Sequence, residues 1–198
     1  MTNKGWHSRG YLPHFDAKGV VQHIVLHTRK ALSDDFISSV GELESSEKLR
    51  RLDAALDAST TGSVFSDGRC AYILESQLRY FDGERYDLLA WCIMPNHVHV
   101  MLCCHSEATL GQIVRTWKVQ TTVAINALLG SKGSIFAPDY FDRFMRSGRQ
   151  TARAIAYVEN NPVASGLCVN PLDWQFSSAY NRAKSWHPKT ENLPLSLY

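Results

Sequence analysis

The order of apolar patterns along the chain predicts an α+β fold, a ferredoxin-like or RRM-like antiparallel sheet with helices packed on one face. Two observations carry that expectation. Three short runs rich in β-branched and aliphatic residues, 20–28, 86–93 and 97–104, read as strands, and only Met94-Pro95-Asn96 separates the last two, as in a hairpin. Around them lie longer segments whose apolar residues recur at helical spacing.

Taken in order, the opening segment through Gly19 reads as irregular, punctuated by Gly10, Pro13 and Gly19. Val20, Val21, Ile24, Val25 and Leu26 make the first strand. Residues 34–57 read as one helix through Phe36, Val40, Leu43, Leu49, Leu52 and Leu56, with Asp34, Asp35, Glu42, Glu44 and Glu47 on a solvated outer side. A second helix spans 71–81 and stops at Gly83. After the hairpin, a long amphipathic helix covers 109–129 and ends at Gly130. Residues 136–144 form a short irregular or strand segment, and a final helix over 150–160 is closed by Pro162.

The chain has 198 residues and 44% hydrophobic content, enough for one domain with a real core. We expect a single domain over 1–198, with an irregular N-terminal segment of about 1–19 and a C-terminal extension of about 163–198. A net charge of +2 does not by itself announce a nucleic-acid binder. The five cysteines contain no C-x-x-C pair, which suits small buried residues in a reducing compartment better than a disulfide framework or a zinc knuckle. No signal-peptide h-region and no run long enough to span a bilayer is present, so the expected location is cytoplasmic, with no membrane partner.

Three features carry chemistry. In Met94-Pro95-Asn96-His97-Val98-His99-Val100, strand alternation puts His97 and His99 on one face and the valines on the core side, so the two imidazoles could share a metal ion. Two histidines on a half-exposed strand would look the same. Second, Tyr157 and Asn161 are four apart on the last helix and share a face. A tyrosine facing a bound metal can attack a phosphodiester, and Asn161 could add an oxygen ligand. A surface tyrosine and a helix C-cap before Pro162 are the bland alternatives. Third, residues 111–153 hold seven cations (Arg115, Lys118, Lys132, Arg143, Arg146, Arg149, Arg153) against Asp139 and Asp142, a net of +5, interleaved with Trp117, Tyr140, Phe141 and Phe144. Cations among aromatics suit a single nucleic-acid strand, although some of these rings must be core.

The ordered set of stretches Arg9-Gly10-Tyr11-Leu12-Pro13-His14-Phe15, Trp91 to His99, Tyr140-Phe141-Asp142-Arg143-Phe144, Tyr157 to Pro162 and Asp173-Trp174-Gln175-Phe176-Ser177-Ser178 resembles the REP-associated tyrosine transposases, relatives of the single-tyrosine transposases of small bacterial insertion sequences. The resemblance covers most of the chain. It implies an HUH nuclease fold in which Val98 is the middle residue, metal ligands at His97 and His99, and a nucleophile at Tyr157. Related transposases complete the metal site with a Gln four residues after the tyrosine, where this chain has Asn161. The implied metal is Mg²⁺ or Mn²⁺. The implied partner is single-stranded DNA folded as a hairpin, namely REP-like palindromes beside a short tetranucleotide. The protein would meet it at the nucleoid, as a monomer or a homodimer. Arg9, Arg115, Lys118, Arg143, Arg146, Arg149 and Arg153 are the expected DNA-contacting cations. The strand with His23 and His27 departs from the family's usual aromatic and Thr-Phe-Arg-like residues.

The expected activity is therefore cleavage and rejoining of single-stranded DNA at hairpins through a 5′-phosphotyrosine. Two rivals stand beside it: a non-catalytic DNA or RNA hairpin-binding protein with an RRM-like sheet, and a small metallohydrolase using His97, His99 and bound water. Tyr140 and Tyr180 are rival nucleophiles.

Overall fold

The structure, a computed structural model, describes residues 5–8, 13–41, 43–105 and 108–189. Strands β1 (Gly5–Ser8) and β2 (Pro13–Asp16) pair antiparallel, so the opening segment is not irregular throughout. Next come β3 (Val21–His27), α1 (Asp34–Val40), α2 (Ser45–Ala58), α3 (Gly68–Tyr80), β4 (Tyr86–Ile93) and β5 (His97–Cys104). The chain continues through α4 (Leu110–Leu129), β6 (Phe141–Phe144), α5 (Gly148–Ala164) and α6 (Ser178–Ala183).

The main sheet has the order β4-β5-β3-β6, and every neighbouring pair is antiparallel. This is the strand order of a ferredoxin-like sheet, with α3 and α4 in its two crossovers. β5 is an inner strand, hydrogen-bonded along both edges, and the Met94–Asn96 turn closes its hairpin with β4 through Met94 N–H to His97 O at 2.8 Å. A bulge between Leu88 and Ala90 turns Leu89 and Ala90 to the same side and returns Trp91 and Ile93 to the face of Leu88.

On that face Ile24, Leu26, Val98, Val100 and Leu102 meet Leu74, Leu78, Ile113, Val114 and Trp117 of α3 and α4. This is the helix-covered side that the alternating pattern predicts. The opposite face is covered too. α1 and α2 bring Ile37, Leu49, Leu52 and Leu56 onto Val25 and Phe141, and α5 brings Val158 onto Cys92, Met101 and Cys103. The sheet is thus covered on both faces rather than one, and every residue of β3, β4 and β5 is buried. β5 carries two histidines into this second interface instead of exposing them to solvent.

Helix boundaries differ from the sequence expectation. The helix expected over 34–57 is interrupted after Gly41, where the Lys48 ammonium caps the Gly41 carbonyl at 2.6 Å. α5 runs through Pro162 to Ala164, because proline near a helix end removes only one carbonyl's partner, and the chain reverses where Gly166 adopts φ +70°. Beyond α5, the C-terminal segment packs on β4: Ile93 N–H donates to Phe176 O and the Trp174 indole donates to Ile93 O, both at 2.9 Å. All five cysteines are free and four are buried, as expected. Among the described residues no helix is long and apolar enough to cross a membrane.

Candidate active site

His97 and His99 project from one face of β5, as alternation requires, into the layer under α2 and α5. Their Nε2 atoms lie 3.2 Å apart. Burial pushes both imidazoles below their usual pKa, His99 to about 3, so both rings are neutral and keep a lone pair for a ligand.

A third donor comes from α2. Asp53 Oδ1 sits 3.7 Å from His99 Nε2, and among the described residues it has no hydrogen-bond partner. Ligand atoms of Asp53, His97 and His99 lie within 4.8 Å of one another. Burial pushes the Asp53 carboxyl up to about 7, and the hydrogen bond from Tyr157 works in the opposite sense. A buried carboxylate oxygen without a partner is costly. Two neutral imidazoles and one carboxylate converging on that oxygen fit a divalent cation.

Tyr157 reaches the group from α5. Its hydroxyl donates to Asp53 Oδ2, and its ring stands edge-on to His99 and His23 at 6.1 and 6.3 Å. Burial and then the Asp53 charge raise the phenol well above its ordinary pKa. The residue as a whole is 41% exposed, so the nucleophile candidate is not sealed from solvent. One turn on, Asn161 is buried and its Oδ1 has no hydrogen-bond partner among the described residues. It is not a helix C-cap, because Ser165 holds that position.

The two histidine rings are held from behind. Asn96 Oδ1 accepts from His97 Nδ1 at 2.7 Å, while Asn96 Nδ2 donates to Leu56 O at 2.8 Å and Ser59 O at 3.1 Å. The turn residue before β5 is therefore tied to the C-terminal end of the helix that carries Asp53. His99 Nδ1 lies 3.1 Å from His23 Nε2 on β3.

The predicted DNA cations fall in different places. Arg143, Arg149 and Arg153 line a cavity of about 540 Å³ together with Tyr157 and His23. Arg146 is exposed beside it, its guanidinium 5.3 Å from the Phe144 ring centre. Arg115 and Lys118 line another cavity of about 680 Å³, with His14 and Tyr140. The Lys118 ammonium donates to the carbonyls of Ala137, Pro138 and Asp139 at 2.8–3.1 Å, which uses its three N–H groups inside the protein. Arg9 lies outside the described residues. Of the rival nucleophiles, Tyr140 is buried against His14, with ring centres 4.3 Å apart, and Tyr180 is on α6 beside Lys184. Neither touches the histidine pair.

Sequence reasoning reaches His97, His99 and Tyr157 but not Asp53 or His23. The signal for Asp53 is an acid inside the apolar stripe Leu49, Leu52, Leu56, and the structure buries it with those leucines. His23 is hidden in a strand that otherwise reads as plain core.

A four-stranded antiparallel sheet with a histidine pair on an inner strand and a tyrosine on the helix packed over them is the arrangement of an HUH fold. Residues 58–161, more than half of the 198, match the family described as Transposase IS200 like, and the chain belongs to that family. The matched span includes His97, His99, Tyr157 and Asn161 and stops short of Asp53. The fold is similar to that of a REP-associated tyrosine transposase solved bound to a REP hairpin, with a TM-score of 0.60 and 15% identity over 90% of this chain and 85% of that one. A candidate transposase from Deinococcus radiodurans R1 aligns with 18% identity over 78% of this chain and 96% of the other, at a TM-score of 0.37 that carries no argument. No curated protein matches the chain.

Proposed function

We propose that this transposase-family protein cleaves and rejoins single-stranded DNA at palindromic hairpins, with Tyr157 as nucleophile and a divalent metal, Mg²⁺ or Mn²⁺, held by Asp53, His97 and His99. The observation that carries the reading is the bond from the Tyr157 hydroxyl to the carboxylate grouped with the histidine pair. Asn161 Oδ1, buried one turn beyond the tyrosine and without a hydrogen-bond partner among the described residues, would offer that ion a further oxygen. The choice of substrate class is supported by the REP hairpin bound to the fold neighbour.

When bound, a divalent cation would polarise the scissile phosphate and offset the charge that develops in the transition state. The chain's own residues do the rest. Asp53 Oδ2 already accepts the tyrosine hydrogen and is placed to take the proton as the phenolate oxygen attacks phosphorus. The P–O3′ bond breaks, the leaving oxygen takes up a proton to become a 3′-hydroxyl, and a 5′-phosphotyrosine remains. Attack by a 3′-hydroxyl on that link reverses the steps and rejoins DNA without an external energy source. Arg143, Arg149 and Arg153 border the cavity beside Tyr157 and would hold flanking phosphates. The protein would act as a monomer or a homodimer.

The test incubates labelled hairpin oligonucleotides with the protein, in Mn²⁺ or in chelator. Metal-dependent cleavage that Asp53→Ala and His97→Ala abolish supports the proposal. Tight hairpin binding with no cleavage under any metal would assign the chain to a binding role instead.

A further inference from the structure

His99 has two ring nitrogens with different neighbours. Nε2 faces His97 Nε2 at 3.2 Å and Asp53 Oδ1 at 3.7 Å. Nδ1 faces His23 Nε2 at 3.1 Å. A neutral imidazole carries one N–H, so Nε2 can offer a lone pair only if the hydrogen is on Nδ1. A buried N–H needs an acceptor, and the atom within hydrogen-bond distance of Nδ1 is His23 Nε2.

His97 has the same design with a different partner: its Nδ1 is engaged by Asn96 Oδ1. Both ligand rings are thus backed at Nδ1 and face each other through Nε2. His23 is well placed for its part. It is 1% exposed, its backbone is fixed between Met101 of β5 and Arg143 of β6, and its ring stacks on His99 with centres 5.3 Å apart. The bond to His99 is the only hydrogen bond of the His23 side chain among the described residues, and the ring also lines the cavity beside Tyr157, which leaves its own Nδ1–H a route to water.

We infer that His23 is a positioning residue: by accepting Nδ1–H of His99 it makes that ring present its Nε2 lone pair beside Asp53 and His97. The inference rests on the proposed metal site and adds to it a residue from a strand outside the family-matched span. Its chemistry separates it from a space-filling core residue. Phenylalanine keeps a flat ring at the position without an acceptor, whereas glutamine restores an acceptor oxygen.

The experiment has two readouts. Long-range ¹H–¹⁵N NMR of the metal-free parent protein reports which His99 nitrogen carries the proton, and Co²⁺ titration followed by its visible absorption reports affinity without any turnover. We expect His99 protonated at Nδ1 in the parent. We expect Co²⁺ affinity to fall about 10- to 100-fold in His23→Phe and to return to within a few-fold of the parent in His23→Gln. Parental affinity in His23→Phe, or a His99 proton on Nε2 in the parent, overturns the inference. Should His23→Phe fail to fold, the parent spectrum decides alone. His97→Ala separates the two claims: undiminished Co²⁺ binding in that variant sinks the metal site itself, while the His99 tautomer still tests His23.

Discussion

The Tyr157 hydroxyl donates to Oδ2 of Asp53, while Oδ1 of that carboxylate, without a hydrogen-bond partner among the described residues, stands 3.7 Å from Nε2 of His99. One buried side chain therefore joins the candidate nucleophile to the candidate metal ligands. Burial favours the protonated acid and also disfavours the phenolate, so a charge on Asp53 is held at a cost. A site poised for a cation should be unstable without one.

Asp53→Asn should accordingly stabilise the metal-free protein and abolish its response to metal. The folded-state pKa of Asp53, about 7, lies above its ordinary value of 3.8. Its favourable contribution as a neutral acid is complete below pH 3.8 and is lost as pH rises through 7. At pH 8 in chelator the Asn variant should be more stable by about 1–3 kcal/mol. Thermal melts with and without Mn²⁺ check this, and a variant that melts lower than the parent in chelator would contradict it.

Asn96→Ala removes the acceptor behind His97 and strips the side-chain donor from Leu56 O and Ser59 O. We expect a loss of about 1–3 kcal/mol in denaturant unfolding. Metal affinity should fall about 10- to 100-fold. Parental stability together with parental affinity would show that the strand–helix tie is not needed.

Alkaline pH should loosen the edge of the sheet. Burial disfavours charge on His14, yet hydrogen bonds to Asp139 and Asp142 outweigh it and lift the ring to about 9. Because that value lies above the unfolded 6.5, His14 stabilises fully below pH 6.5 and its contribution disappears as pH rises through 9. A His14→Gln variant should lose most of the stability difference between pH 6.5 and 10, on the order of 2 kcal/mol in the parent. An identical pH profile in the variant would remove His14 from this role.

Arg149 and Arg153 are exposed beside Tyr157, whereas Lys118 is committed to three backbone carbonyls. Replacing either arginine with alanine should weaken single-stranded DNA binding and reduce the log K against log salt slope by about 0.7. Lys118→Met should leave that slope unchanged and cost about 1–3 kcal/mol of stability. Fluorescence anisotropy across a KCl series, with unfolding curves, distinguishes the two behaviours.

The legible parts of the fold were those with local signals. Period-two apolar runs around Met94-Pro95-Asn96 place β4 and β5 at their observed bounds, and Thr109 with Gly130 frames α4 through a capping box and a left-handed cap. β1 and β2, Gly-Trp-His-Ser and Pro-His-Phe-Asp, have little β-branched content, and their pairing has no signature in either segment alone. Covering the second sheet face depends on where α2 and α5 dock, which is tertiary information. Asp53 stands out in sequence only as an acid within the stripe Leu49, Leu52, Leu56, and it takes the docking of α2 to turn it toward His99. His97 and His99 were singled out by strand alternation and Tyr157 by its spacing to Asn161 together with the family resemblance; the structure groups the three side chains around Asp53.

The most direct test of the account is mass spectrometry of the trapped protein–DNA adduct. Tryptic cleavage after Arg153 and Arg182 yields a peptide holding both Tyr157 and Tyr180, and fragmentation between them locates the modified ring. The account predicts a nucleotide 5′-phosphate on Tyr157, formed only with divalent metal and absent from Tyr157→Phe. An adduct on Tyr180 or Tyr140, or cleavage that persists at parental rate in Tyr157→Phe, would contradict it.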